Sequence, residues 1–113
     1  MAKAILHLHT KGILHGDLYA HNTLVSDNNE VLTGDFGAAS VFNVDSHQGY
    51  QLQKIESRAF GCFLEDLLSL VSEKEKANEI YFQLLKLKTD CLLDDILNRP
   101  SFIDIEKTLK NLV

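Results

Sequence analysis

From Lys54 onward the apolar residues fall at helical spacing. Phe60, Phe63, Leu64, Leu67, Leu68 and Val71 recur at i, i+3 and i+4. Ala59, Cys62 and Leu70 lie off that stripe and are apolar too. A helix apolar on most faces belongs in the middle of a core, so Phe60, Phe63, Leu64 and Leu67 are expected to be largely buried. A second helix is expected over about 75–91, with Ile80, Leu84, Leu87 and Cys91 in register. A last helix starts after Asn98-Arg99-Pro100, where Ser101 and Asp104 form a capping-box pattern ahead of Phe102, Ile105 and Leu109. The first half reads differently. Residues 2–10 form a helix with Ala4, Ile5 and Leu8 on one face, closed by Gly12 as a C-terminal cap. Ile13-Leu14 is a short apolar run. Residues 23–26 and 30–33 are β-like, and Asp27-Asn28-Asn29 between them is turn chemistry, which predicts a hairpin. Residues 37–53 show no periodicity and read as a loop.

The length, 113 residues, holds one domain, and 45% hydrophobic with 24% charged residues is ordinary for a globular chain. The formal charge of −5 is spread along the chain: 3 bases and 6 acids over 1–56, 8 and 10 over 57–113. No basic face is indicated, so nucleic acid is not an expected partner. No apolar run approaches the ~20 residues of a membrane span, and the start lacks a signal-peptide layout, so no membrane partner is expected. Cys62 and Cys91 sit in apolar surroundings and read as reduced core residues, which suits a cytoplasmic protein. His7 and His9 form His-x-His, but residues two apart on a helix point to different sides, so shared zinc ligation is not expected.

Candidate chemistry gathers in two short clusters, His15-Gly16-Asp17-Leu18-Tyr19-Ala20-His21-Asn22 and Gly34-Asp35-Phe36-Gly37. Both follow β-like segments. The intervening hairpin would return Asp35 to the edge that Asn22 leaves, so Asp17, Asn22 and Asp35 would converge. Two carboxylates and an amide oxygen are hard ligands suited to Mg²⁺, which takes one or two carboxylates together with substrate phosphates. Taken singly, each of these aspartates reads as a turn or capping residue.

Taken together, the clusters resemble the catalytic loop and the metal-binding Asp-Phe-Gly (DFG) loop of protein kinases. The resemblance extends along the chain. Leu6 to Asn22 is similar to the helix before the catalytic loop and the loop itself. Ile55 to Leu68 is similar to the central helix of the large lobe, with Ala59-Phe60-Gly61 in place of Ser-Phe-Gly. Cys91-Leu-Leu-Asp-Asp-Ile-Leu-Asn-Arg-Pro-Ser-Phe102 resembles the Cys-Trp-x-x-Asp-Pro-x-x-Arg-Pro-x-Phe segment of tyrosine-kinase-like domains. The resemblance implies a mainly α fold with a small β-hairpin: the large (C-terminal) lobe of a protein-kinase-like domain, compressed and lacking the small lobe, with residues 1–113 as a single partial domain. It implies ATP-dependent phosphoryl transfer with Asp17 as catalytic base. Asn22 and Asp35 would hold Mg²⁺ (or Mn²⁺), with ATP as co-substrate. His15, Phe36 and Gly37 would support the loops. Glu56 stands where the family has an Asp that anchors the catalytic-loop backbone, and Arg99 matches an Arg that pairs with the Glu of the Ala-Pro-Glu motif.

Departures from the family pattern qualify that implication. Gly16 replaces the Arg that would read a phosphorylated activation loop. Tyr19 and His21 occupy positions near the transferred phosphate where a fixed cation is usual; His21 is the candidate phosphate-proximal group. The His-Gly-Asp form also resembles small-molecule kinases, which leaves the acceptor open. No Ala-Pro-Glu motif follows, and only 18 residues separate Gly37 from Glu56. No Gly-rich loop or Val-Ala-Ile-Lys strand is found in the 113 residues. Two expectations follow: the catalytic-lobe portion of a working kinase that binds ATP once a small lobe is supplied, or a stand-alone pseudokinase or degenerate remnant acting as a binding module. Apolar surface around Leu24, which a small lobe would cover, predicts self-association or a protein partner.

Overall fold

The computed structural model describes residues 1–18, 23–25, 31–33 and 37–112. Helix α1 spans Ala2–Thr10 and buries Ala2, Ile5 and His9, a stripe at i, i+3 and i+7. The expected face was one residue out of place, since Ala4 is exposed and Ala2 is buried. The amides of Lys11 and Gly12 donate to Leu8 and His9 carbonyls, and Gly12 has φ +74°, as the C-terminal cap requires. The hairpin expected after it is present as strands β2 (Thr23–Val25) and β3 (Val31–Thr33), antiparallel with Leu24 opposite Leu32. Its turn and the side chain of Leu24 lie outside the described residues.

The expected loop over 37–53 is largely ordered structure. Ser40–Val41 form β4, which pairs antiparallel with β1 (Ile13–Leu14). Helix α2 then begins at His47, not at Lys54, and runs to Leu68. Its first turns carry few apolar residues and so show no amphipathic period. The start is set by Ser46, whose Oγ accepts from the amide of Gly49 at 2.8 Å. The expected second helix divides into a 3-10 turn at Glu75–Ala77 and α3 at Glu79–Cys91, because Asn78 caps α3 by accepting from Ile80 N. Helix α4 (Phe102–Lys110) opens with the expected capping box between Ser101 and Asp104.

Helix α2 packs on α3, and α1 on α4. The core between them holds Ala2, Ile5, Leu18, Phe60, Leu64, Leu87, Cys91, Phe102 and Ile105. Phe60 and Phe102 meet edge to face, 5.7 Å between centroids. Leu67 corrects the sequence reading: it is 44% exposed, and Phe63 is only half-buried. Leu67 follows buried Phe60 by seven residues and so lies on nearly the same side of α2, but in the last turn of the helix that flank is exposed, as is Ile55 on the side away from the core. Leu70, Phe82 and Val41 are further exposed apolar residues. No helix is long and apolar enough to cross a membrane.

Candidate functional site

Strand β1 delivers the chain directly into His15-Gly16-Asp17-Leu18. Leu18 is buried in the core and His15 is fully buried, so the segment is pinned from both ends. The amide of Asp17 donates to His15 Nδ1 at 3.2 Å. The main anchor comes from α2. Glu56, 5% exposed, accepts from the amide of Gly16 at 2.7 Å, the amide of His15 at 3.1 Å and His9 Nε2 at 2.7 Å. Burial alone would raise the pKa of Glu56. The hydrogen bonds from His9, Gly16 and His15, with the His9 ring as a nearby positive influence, outweigh it and hold the carboxyl below the usual value. Glu56 is therefore an ionised buried acceptor whose lone pairs are spent on the loop.

Gly16 is not simply a missing arginine. Its φ is +86°, in the left-handed region, and a Cβ there would sit 2.2 Å from the carbonyl oxygen of Ala38. The chain just past Gly37 thus lies against the back of Gly16, and no side chain fits at that position. Asp17 is half-buried and lines a cavity of about 230 Å³ together with Leu18, Arg58, Cys62, Phe63 and Asp66. The Arg58 guanidinium lies 3.8 Å from Cys62 Sγ.

Of the sequence-derived site residues, the structure brings His15, Gly16, Asp17 and Glu56 together, and places Gly37 next to Ala38 at the exposed turn that follows. His21, Asn22, Asp35 and Phe36 lie outside the described residues. His9 was missed. It had been set aside as half of a His-x-His pair, but it is buried and holds Glu56. The signal was available: His9 sits four residues after Ile5, on the same helical face. Arg99, expected to lack its usual partner, is buried and satisfied by backbone. Its Nε donates to the carbonyl of Leu93 at 2.6 Å and its Nη1 to that of Lys54 at 3.4 Å. The buried ammonium of Lys54 in return donates to the carbonyl of Arg99 and lies 4.8 Å from the centre of the Tyr50 ring.

Sequence comparison places the chain that carries this loop in a family. The family profile described as protein tyrosine and serine/threonine kinase matches residues 1–60, more than half of the chain. The chain belongs to that family. It is 27% identical to a probable serine/threonine-protein kinase, kinX, of Dictyostelium discoideum, over 96% of this chain and 13% of that protein. It is 33% identical to the LEAF RUST 10 disease-resistance locus receptor-like protein kinase-like 1.4 of Arabidopsis thaliana, over 60% of this chain and 13% of that protein. A probable serine/threonine-protein kinase of the same plant is 40% identical over 46% of this chain. The chain thus spans 13% or less of the length of these relatives. The first alignment covers 145 positions, more than this chain has residues, so the relative carries insertions against it.

Proposed function

We propose that the chain is the large-lobe portion of a protein-kinase-like, ATP-dependent phosphotransferase, with residues 1–113 forming one compressed lobe. The observation that carries this reading is the anchoring of the His15-Gly16 backbone by Glu56, which fixes the next residue, Asp17, at the edge of a cavity. Phosphoryl transfer depends on positioning and on charge neutralisation, so a rigidly held carboxylate is what such a loop must supply. Asp17 orients the acceptor hydroxyl and takes its proton. Asn22 and Asp35 would hold Mg²⁺ or Mn²⁺; one carboxylate and one amide oxygen, with substrate phosphates and water completing the shell, are donors such an ion accepts. When bound, the ion would neutralise charge on the phosphates of ATP. By the family resemblance His21 is the phosphate-proximal candidate, and His15, Phe36, Gly37 and Glu56 are the residues assigned to support of the loops. The reduced cysteines fit a cytoplasmic setting. The exposed Leu70, Phe82 and Val41 fit a protein partner or self-association.

Without a strand lysine or an adenine-binding hinge, this chain binds Mg²⁺·ATP more weakly than about millimolar, some 4 kcal/mol of binding free energy. Paramagnetic Mn²⁺ reports such weak occupancy. With ATP present, Mn²⁺ is expected to broaden the amide resonances of Asp17 and Leu18, and Asp35→Ala is expected to abolish the effect. Broadening that is unchanged in Asp35→Ala, or absent from Asp17 at millimolar ATP, would refute the assignment.

A further inference from the structure

The cavity beside Asp17 is a groove along α2. Two stripes of that helix wall it, Ile55, Ala59 and Phe63 on one and Arg58, Cys62 and Asp66 on the other. From Ile55 to Asp66 it follows about three turns, roughly 16 Å of helix axis. Its volume, about 230 Å³, is below the roughly 300–1,000 Å³ of a site that encloses a whole small molecule. An adjoining recess of about 120 Å³ shares Gly16, Leu18, Ile55 and Ala59 with it and is closed by Leu14 and Leu52. Two small recesses in a row suit consecutive side chains of an extended segment better than one compact ligand.

Charge is placed unevenly along the groove. Asp17 stands at the loop, and Asp66 lies two turns beyond Arg58, about 12 Å further along the axis. Arg58 is the one cation among the described lining residues. The chain has two arginines. Arg99 is buried and spent on backbone carbonyls. Arg58 is exposed and forms no ion pair among the described residues. Its hydrogen bond there is to Cys62 Sγ at 3.8 Å, and a thiol sulfur is a weak acceptor. A guanidinium carries five donors in a planar fork that matches a carboxylate.

We propose that the groove takes an acceptor peptide in which the hydroxyl-bearing residue is flanked by an acidic one. The hydroxyl lies at Asp17, the neighbouring carboxylate pairs with Arg58, and the residue on the other side of the hydroxyl rests over the recess at Leu14 and Leu52. Asp17 and Asp66 repel a carboxylate on either side, so Arg58 fixes where the acid stands relative to the hydroxyl. The role given to Asp17 rests on the phosphotransferase reading, and the pairing with Arg58 does not.

The probes are acetyl-Leu-Ser-Asp-Gly-amide and the reversed acetyl-Gly-Asp-Ser-Leu-amide, which cover both chain directions, each with a twin carrying Asn for Asp. They are titrated at low salt into the full 113-residue chain and followed by ¹⁵N NMR of the backbone amides and the Arg58 Nε–H. In one direction the Asp peptide is expected to bind about fivefold more tightly than its Asn twin and to move the Arg58 Nε–H resonance. The chain carries a formal charge of −5, so its overall field opposes an acidic peptide and such a preference is local. Arg58→Gln, at an exposed position, is expected to erase the preference and to leave the affinity of the Asn twin unchanged. An Ala-for-Ser peptide is expected to keep the Arg58 shift and to reduce the shift of the Asp17 amide. Equal affinity of Asp and Asn peptides in both directions overturns the proposal, as does a preference that survives Arg58→Gln or an Asp17 shift that is the same with serine and alanine. Loss of the Mn²⁺ broadening with the Arg58-dependent preference intact overturns the phosphotransferase reading alone; loss of the preference with the broadening intact overturns the present inference alone.

Discussion

Glu56→Gln removes the charge at the centre of the loop anchor while keeping its shape. The carboxylate accepts three hydrogen bonds, two at 2.7 Å and one at 3.1 Å. A glutamine retains one acceptor oxygen. If it replaces Oε1, its NH₂ faces the amide of Gly16, donor against donor; if it replaces Oε2, the clash moves to His9 and His15. Either arrangement leaves at least one buried donor unpaired, costing about 1–3 kcal/mol, and weakens a charge-assisted bond. A loss of roughly 2–4 kcal/mol is expected, against a total stability of about 5–15 kcal/mol. Urea unfolding followed by circular dichroism at neutral pH measures it. The pH dependence gives a second readout. The folded pKa of Glu56 lies below its ordinary value of 4.5. Its contribution is therefore fully present above that value and is lost as pH falls through the folded pKa. Protonated Glu56 resembles glutamine, so wild type and variant should converge as the pH falls through the folded pKa of Glu56, below its ordinary value. A variant within about 0.5 kcal/mol of wild type at pH 7, the range of an ordinary surface substitution, or an offset that stays constant down the acid limb, would refute the anchor.

Gly16→Ala places a Cβ against the Ala38 carbonyl in a left-handed backbone, so it is expected to lower the melting temperature and to shift the amide resonance of Ala38; an unchanged melting temperature would count against the packing of these two segments. Phe102→Ala, at a 1% exposed core position, should cost roughly 3–5 kcal/mol, whereas Leu67→Ala, at a 44% exposed one, should cost well under half of that in the same urea titration. Burial pushes the Cys91 thiol up to about 12, while Cys62 is only half-buried, so iodoacetamide at mildly alkaline pH should label Cys62 first in peptide mapping, and Cys91 only on unfolding.

Much of this fold was legible along the chain because local signals carry it. The Ser101/Asp104 capping box, the Gly12 cap and the 23–33 hairpin each depend on residues within a few positions of one another, and each is found as expected. The ordered motifs also pointed to the kinase family before any comparison, since spacing and residue type survive in sequence. Helix α2 was misread at its start because its first turns lack an apolar period, and Leu67 was misread because periodicity reports that a face is apolar, not whether another helix covers it.

The candidate site divides along the same line. The sequence by itself singled out His15, Asp17 and Glu56 as one group, because their order and spacing resemble the family pattern even though Glu56 stands where that pattern has an Asp. Only the tertiary structure decided how the unit is held. The His9–Glu56 pair joins residues 47 positions apart, and the two bonds by which the side chains of Lys54 and Arg99 each donate to the other's backbone carbonyl join residues 45 apart. Gly16 owes its lack of a side chain to the carbonyl of Ala38. Such contacts are made by chain segments that meet only after the helices have packed, and a linear pattern of polar and apolar residues contains no information about which donor will find which acceptor across that distance.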